Sequence, residues 1–266
     1  MSLSDFVGQQ RRKQEGRVVL FDIETAPSLG YYWDGKFEVN VIEQVSSWHL
    51  LSFAWKVLGE KKIHVHSLPD YPGYEDDKQN DEKLSRHLWA IIDSADVVIA
   101  HNGDRFDLRK ANARFTYWGI TPPSPYRSID TLKVARRHFS FNSNSLDDLA
   151  KHFGFGKKLA HTGWNLWKRC MEGDLKAWNL MRRYNKHDIK LLEEVYLQLR
   201  PWIKTHPNLA AYSGTEICPA CRSTSLRQDG FVTTRTGKAP NYRCLDCGFW
   251  SQGPYTKTVD IRPSSI

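Results

Sequence analysis

The stretch VVLFDIET, Val18–Thr25, constrains this chain more than any other. Its apolar run reads as a strand buried in a core, yet the strand ends on Asp22 and Glu24, two residues apart. Side chains alternate between the faces of a strand, so both carboxylates share one side while Phe21 and Ile23 take the other. Two anions confined to one small space repel, and the repulsion raises at least one pKa unless solvent or a cation offsets it. Oxygen ligands of this kind suit magnesium or manganese. A strand end emerging into water, with both acids solvated, is the alternative that this pair alone leaves open.

The rest of the chain supplies a mixed sheet for that strand to join. HLLSFAWKVLGEKKIHVHSL reads as a hairpin turning at Gly59 and Glu60. DEKLSRHLWAIIDSA carries helical spacing through Leu84, Leu88, Ile91 and Ile92, and leads into a short apolar strand, DVVIAHN. A helix over DLRKANARFTYWG stops at Gly119, and YRSIDTLKVARRHF reads as a further strand. Ser145 and Asp148 predict a capping box for the helix LDDLAKHFG, which Gly154 ends. From Thr162 to Ile203 the spacing is helical with a break at MEGD, whereas GYYWDGKF reads as an irregular aromatic loop. Hairpin strands followed by alternating strands and helices predict an α/β fold with a mixed sheet flanked by helices.

Two further acids stand where such a sheet would bring them near Asp22. Asp107, in AHNGDRFD, follows a strand and opens a helix, a position that the helix dipole alone would also favour. Asp188, in YNKHDIKLL, shares a helical face with Tyr184, and that face continues through Trp178, Met181, Leu191 and Val195. An aspartate in an apolar stripe faces the core, where it is costly without a partner.

FDIET, NGDRFD and YNKHD together resemble the three motifs of the DEDD superfamily of 3′→5′ exonucleases, tyrosine branch, on the ribonuclease H-like fold. The wording is closest to the proofreading domain of family B DNA polymerases and its stand-alone, phage-type relatives, and the likeness covers Arg17 to Ile203. The resemblance implies that Asp22, Glu24, Asp107 and Asp188 ligate two Mg2+ or Mn2+ ions and that Tyr184 orients the attacking water. It implies, too, that Thr25, Asn102 and Phe106 contact the terminal nucleotides. The histidine branch expects His where this chain has Arg183, and His187 is left out of the chemistry. Unlike the polymerases, this chain carries no polymerase after the exonuclease motifs, so it is expected to act alone or as a separate subunit.

Charge and cysteine usage complete the picture. A formal net charge of +8 and a pI near 9.2 favour an anionic partner, nucleic acid first among them. Lys133, Arg136 and Arg137, with Lys157 and Lys158, flank the acidic motifs in sequence and read either as guides for a strand or as ordinary surface. His64 and His66 alternate onto one face and, with no third ligand nearby, read as a solvated sheet face. Cys170 reads as inert core. Cys218 and Cys221, followed at 22 residues' remove by Cys244 and Cys247, have the spacing of a structural zinc ribbon rather than of disulfides. Between the pairs, Arg222, Arg227, Arg235, Lys238 and Arg243 face Asp229 alone, so this arm could hold nucleic acid or dock a protein.

The expected organisation is a flexible basic arm over 1–16, the exonuclease over 17–203, a linker over 204–214, the zinc ribbon over 215–256 and a tail over 257–266. The expected activity is removal of nucleotides from single-stranded DNA 3′ ends, with RNA-end processing or a catalytically silent binding subunit as alternatives. Expected partners are single-stranded nucleic acid, DNA before RNA, and a separate DNA polymerase or replication protein. No leader and no membrane-length apolar run is seen, so a cytoplasmic setting, the host's if the protein is viral, is expected.

Overall fold

The computed structural model describes residues 16–33, 40–212 and 216–258. The expected N-terminal arm apart from Gly16, part of the aromatic loop at 34–39, the end of the expected linker and most of the tail lie outside the described residues. The chain divides into two compact units, Arg17–Val195 and, with Gly16, the described part of Tyr196–Ile266.

In the first unit the strands are β1 (Val18–Thr25), β2 (Leu29–Tyr31), β3 (Glu43–Ser46), β4 (Leu50–Val57), β5 (His64–Ser67), β6 (Val97–Ala100) and β7 (Arg127–Asp130). Its helices are α1 (Glu82–Asp93), α2 (Asp107–Tyr117), α3 (Thr131–His138), α4 (Leu146–His152) and α5 (Trp164–Met171), with α6 (Leu175–Leu199) belonging to this unit as far as Val195. Five strands form one sheet in the order β5-β4-β1-β6-β7. β1 lies at its centre, antiparallel to β4 and parallel to β6, and β7 extends the parallel half. The predicted mixed sheet is therefore present. β4 and β5 form the predicted hairpin, with Gly59 at a φ of 89° that a side chain rarely adopts.

Each face of the sheet is covered for a reason visible in the strands. Leu20, Asp22 and Glu24 pair with Lys56, Ala54 and Ser52, so these six share one face. There α6 is fixed by two polar contacts, the Ser52 hydroxyl donating to the Asn185 amide oxygen at 2.5 Å and Lys56 pairing with Glu193. The apolar stripe of α6 is buried as predicted: Trp178, Met181, Leu191 and Val195 are inaccessible to solvent. On α1 the spacing of Leu84, Leu88, Ile91 and Ile92 likewise yields a fully buried stripe. A buried ion pair links this part of the core: Asp81 accepts from the Leu50 backbone N–H and Trp118 Nε1, each at 2.7 Å, and pairs with Arg114.

Four readings differ from the structure in whole or in part. YRSIDTLKVARRHF is strand only as far as Asp130, because the Asp130 carboxylate accepts from the Leu132 and Lys133 amides and starts α3. The aromatic loop contains β2, which pairs with β3 in a two-stranded ribbon, its Leu29, Tyr31 and Val45 exposed. His64 and His66 are half-buried, not solvated: His64 stacks on Trp55, and His66 lies against Phe53 and His87. Ser145 caps α4 through Asp148 N as predicted, but its own amide turns to Ser143 Oγ, so only one arm of the box forms.

The second unit is a four-stranded antiparallel sheet of β8 (Leu226–Thr233), β9 (Gly237–Cys244), β10 (Trp250–Gln252) and β11 (Thr256–Lys257), with β9 paired to all three others. Among the described residues no helix is long and apolar enough to cross a membrane.

Candidate active site

The two acids of β1 stand at the end of the central strand, where the pairing with β4 shifts register between Glu24 and Thr25. Such a bulge re-aims the side chains that follow it. α6 brings Asp188 over this point, and one carboxylate oxygen each from Asp22, Glu24 and Asp188 lies within 4.8 Å of the others. Asp107 opens α2 and is held against β1 by the Ile23 amide, which donates to its Oδ1 at 3.1 Å between the two β1 acids. Asp188 Oδ1 is buried and has no hydrogen-bond partner among the described residues. An orphaned carboxylate oxygen inside a group of acids is what a cation would complete.

Electrostatics point the same way. Burial, then the charges of Asp107, Glu24 and Asp188, push the Asp22 carboxyl well above its ordinary range. Burial and Asp188 raise Glu24 to about 8, although Lys158 and the Trp167 indole, which donates to Glu24 Oε2 at 3.1 Å, work against the shift. Burial likewise raises Asp107 to about 7, against the Ile23 amide. Hard oxygen donors at this density fit Mg2+ or Mn2+ and would be poor company for one another without them.

Lys158 is the residue that sequence reasoning placed wrongly. It is no surface guide: its ammonium donates to Asp188 Oδ2 at 2.5 Å and to the Tyr184 hydroxyl at 3.0 Å. Burial lowers its pKa, but Asp188 and Tyr184 outweigh that and hold it above the ordinary lysine value. Its backbone is fixed twice, by Asp147 Oδ1 accepting from Lys158 N at 2.6 Å and by His187 Nε2 bonded to the Lys157 carbonyl at 2.8 Å. His187 thus faces away from the acids, as expected, and holds the neighbouring loop. Lys157, Arg136 and Arg137 are exposed, and Lys133 pairs with Asp104 at 2.7 Å.

A second residue was missed outright. Buried Asp130 uses its Oδ1 to accept from Asn102 N at 2.9 Å and its Oδ2 to accept from Asp104 N at 3.3 Å, beside its two capping bonds. It holds Asn102 in a left-handed conformation, φ 66°, which a non-glycine residue adopts only when its surroundings impose it. Gly103 is required next to it, since a Cβ there would lie 2.5 Å from that of Ala100. The signal was available in an aspartate just ahead of a helical run, had that run been read as a helix.

Beside the acids opens a cleft of about 370 Å³ lined by Thr25, Ala26, Pro27, Ser28, Trp48, Lys110, Trp164 and Trp167. Lys110 Nζ lies 3.7 Å from the centre of the Trp48 ring, and Phe106, 39% exposed, stands at the start of α2. Tyr184 is flanked by His161 and Trp167 in an aromatic layer. Of the sequence-predicted substrate residues, Thr25 lines the cleft, Phe106 lies at the helix that carries Lys110, and Asn102 lies in the loop that Asp130 fixes.

In the second unit the four predicted thiols converge within 4.8 Å. Cys218 and Cys247 Sγ are 3.7 Å apart, and Cys221 and Cys244 Sγ are 3.6 Å apart. Sulfurs in a disulfide are about 2.05 Å apart, whereas the edge of a tetrahedron with metal–sulfur bonds of about 2.3 Å is about 3.8 Å. Both CxxC turns are followed by a left-handed residue, Arg222 (φ 63°) in the first and Gly248 (φ 74°) in the second.

Residues 60–200 match the family model described as RNase_H superfamily. The chain belongs to the RNase H superfamily. The match takes in Asp107, Tyr184 and Asp188 and begins after the strand that carries Asp22 and Glu24. Over 139 residues the chain is 28% identical to "DNA polymerase III PolC-type" of Ureaplasma parvum serovar 3, a match that covers 51% of this chain and 9% of that protein. A family B DNA polymerase from the archaeon Pyrobaculum calidifontis superposes with a TM-score of 0.48 at 14% identity, over 83% of this chain and 31% of that one. The ribonuclease H-like fold read from the three motifs is borne out by the family match.

Proposed function

We propose that this RNase H superfamily protein is a metal-dependent 3′→5′ exonuclease that removes nucleotides from single-stranded DNA. The observation that carries the reading is the convergence of Asp22, Glu24 and Asp188 on one point, with Asp107 locked beside them and one Asp188 oxygen left without a partner among the described residues. Asp22, Glu24, Asp107 and Asp188 would hold two divalent cations, which offset the charge of the phosphodiester and its leaving oxygen and acidify water. Tyr184, kept in place by α6 and by the ring edges of His161 and Trp167, presents its hydroxyl to orient the attacking water. Hydrolysis breaks the bond from phosphorus to the 3′ oxygen of the preceding nucleotide, leaving a 5′-mononucleotide and a strand with a free 3′ hydroxyl. The cleft lined by Thr25 and the tryptophans would receive the strand end, with the Thr25 backbone near the terminal sugar and Asn102 and Phe106 against the terminal nucleotides, as the resemblance implies. The four thiols would hold one structural Zn2+, which with four sulfur ligands has no open position for chemistry. A cytoplasmic setting and a separate DNA polymerase or replication protein as partner belong to the same proposal.

One observation favours a second reading. Lys158 gives Asp188 and Tyr184 an internal cation, as a silent nucleic-acid-binding subunit on this fold would need. A time course on 5′-labelled and 3′-labelled DNA and RNA strands, with magnesium, manganese or neither, separates the two. The nuclease reading expects metal-dependent shortening from the 3′ end. No turnover with either metal supports the silent subunit, and cuts within circular single strands overturn the exonuclease.

A further inference from the structure

The cysteine-bearing unit carries a row of side chains that nothing in the nuclease chemistry uses. On β9, Arg243 stands directly opposite Arg227 of β8 on one side and Trp250 of β10 on the other. Residues directly opposite in antiparallel strands project from the same face. All three side chains are exposed, Trp250 at 48%. Two residues along, on the same face, Asn241 pairs with Gln252.

Two like charges directly opposite each other destabilise a strand pair. Arg227 is relieved in part by Asp229 at 3.2 Å, an exposed pair, while Arg243 has no ion-pair partner among the described residues. The two guanidinium groups therefore share a demand for one further anion. Trp250 is an exposed ring in the same row. A planar donor pair that suits a phosphate oxygen, next to an aromatic face one strand away, matches the repeat of a single-stranded polynucleotide, in which charge and unstacked base alternate. The amides of Asn241 and Gln252 add donors and acceptors beside the stacking position. An acidic protein surface would satisfy the arginines and leave the exposed tryptophan without a purpose.

We propose that the Arg227–Arg243–Trp250 row is a binding site for single-stranded nucleic acid, with one phosphate across the two guanidiniums and the adjoining base on the Trp250 ring. The site lies within the second unit and stands independently of the nuclease reading.

The test measures binding of a 5′-labelled single strand to the zinc-loaded full chain by fluorescence anisotropy across a salt series. An Asp22→Ala background keeps the strand intact, and shortening of the strand in that background would count against the nuclease reading alone. Arg227→Gln with Arg243→Gln should weaken binding and make the salt dependence shallower by about 0.7, the change in slope expected for one phosphate no longer neutralised on a single strand. Trp250→Ala should weaken binding roughly tenfold with the slope unchanged, and Trp250→Phe should restore most of that affinity. Retained zinc and thermal melting confirm that each variant is folded. As a check that needs no variant at this site, photocross-linking to an iodouridine-containing strand should map to the peptide holding Trp250. Unaltered affinity and slope in the folded variants, or cross-links confined to other peptides, would overturn the proposal.

Discussion

Replacing Glu24 by Gln tests whether the acidic floor is held together at a cost that only cations remove. In the folded protein free of magnesium and manganese, burial and the Asp188 charge raise Glu24 from 4.5 to about 8. A carboxyl with a raised pKa binds its proton more tightly folded than unfolded, so stability is full below pH 4.5 and falls as pH climbs through 8. At about 1.36 kcal/mol per pH unit, the whole rise is worth about 5 kcal/mol above pH 8. The Gln side chain keeps an acceptor for the Trp167 indole and removes the charge, while Asp22, Asp107 and Asp188 continue to repel one another. A gain of about 2 to 5 kcal/mol is therefore expected for Glu24→Gln at pH 8.5, which is about 4 to 15 °C in Tm for a chain of this size. At pH 4.5 the two proteins should melt together. The assay is a pair of thermal melts at each pH, with zinc retained and magnesium then added back. Magnesium should raise the wild-type Tm at pH 8.5 and affect the variant much less, since a ligand bound only by the folded state stabilises it by mass action. Equal melting of the two proteins at pH 8.5 without magnesium would refute the reasoning.

Other outcomes follow from four single side chains. Asp188→Ala should abolish hydrolysis in the exonuclease assay while leaving strand binding in place, whereas Tyr184→Phe, which loses the water-orienting hydroxyl and keeps the ring packing, should cost about 10- to 1,000-fold in rate. Lys158→Met removes the internal cation from Asp188, so magnesium should bind more tightly by titration calorimetry, and unchanged affinity would show that the ammonium does not compete for the site. Asp81→Ala leaves Arg114 buried without its partner and should lower stability by about 3 to 5 kcal/mol in urea, with Asp81→Asn milder because the Leu50 and Trp118 donors keep an acceptor.

Long elements with one buried face were legible in the sequence. α1 and α6 each bury a stripe at helical spacing, and β1, β4 and β6 are apolar runs whose burial follows from their place inside the sheet. Legibility failed where local chemistry, not periodicity, decides. β7 and α3 look like one apolar-polar stretch until the Asp130 carboxylate is seen to accept amides from both its own helix and the Asn102 loop. β2 and β3 are short and exposed and owe their existence to pairing between segments 11 residues apart in sequence, which no local periodicity can register. His64 and His66 were misjudged because alternation says which face a residue takes and not what packs on that face, here Trp55, Phe53 and His87.

The same distinction explains the site. Asp22, Glu24, Tyr184 and Asp188 announce themselves because each breaks a local rule, a charge closing a core strand or a charge or phenol within an apolar stripe, whereas Asp107, an acid opening a helix, stands out only through its motif. Such breaks persist only where something outside the local structure compensates, so they mark candidate functional positions in the sequence. Lys158 and Asp130 break no local rule. A lysine in a loop and an aspartate ahead of a helix are ordinary in sequence, and their importance comes from partners 30 and 28 positions away, Asp188 and Asn102. Their roles therefore become visible only when the sheet brings those partners within reach. The acids crowd one point, and these two residues show how the chain supports them: Asp130 by holding the motif loop in a conformation it would not choose, Lys158 by placing a positive charge against Asp188.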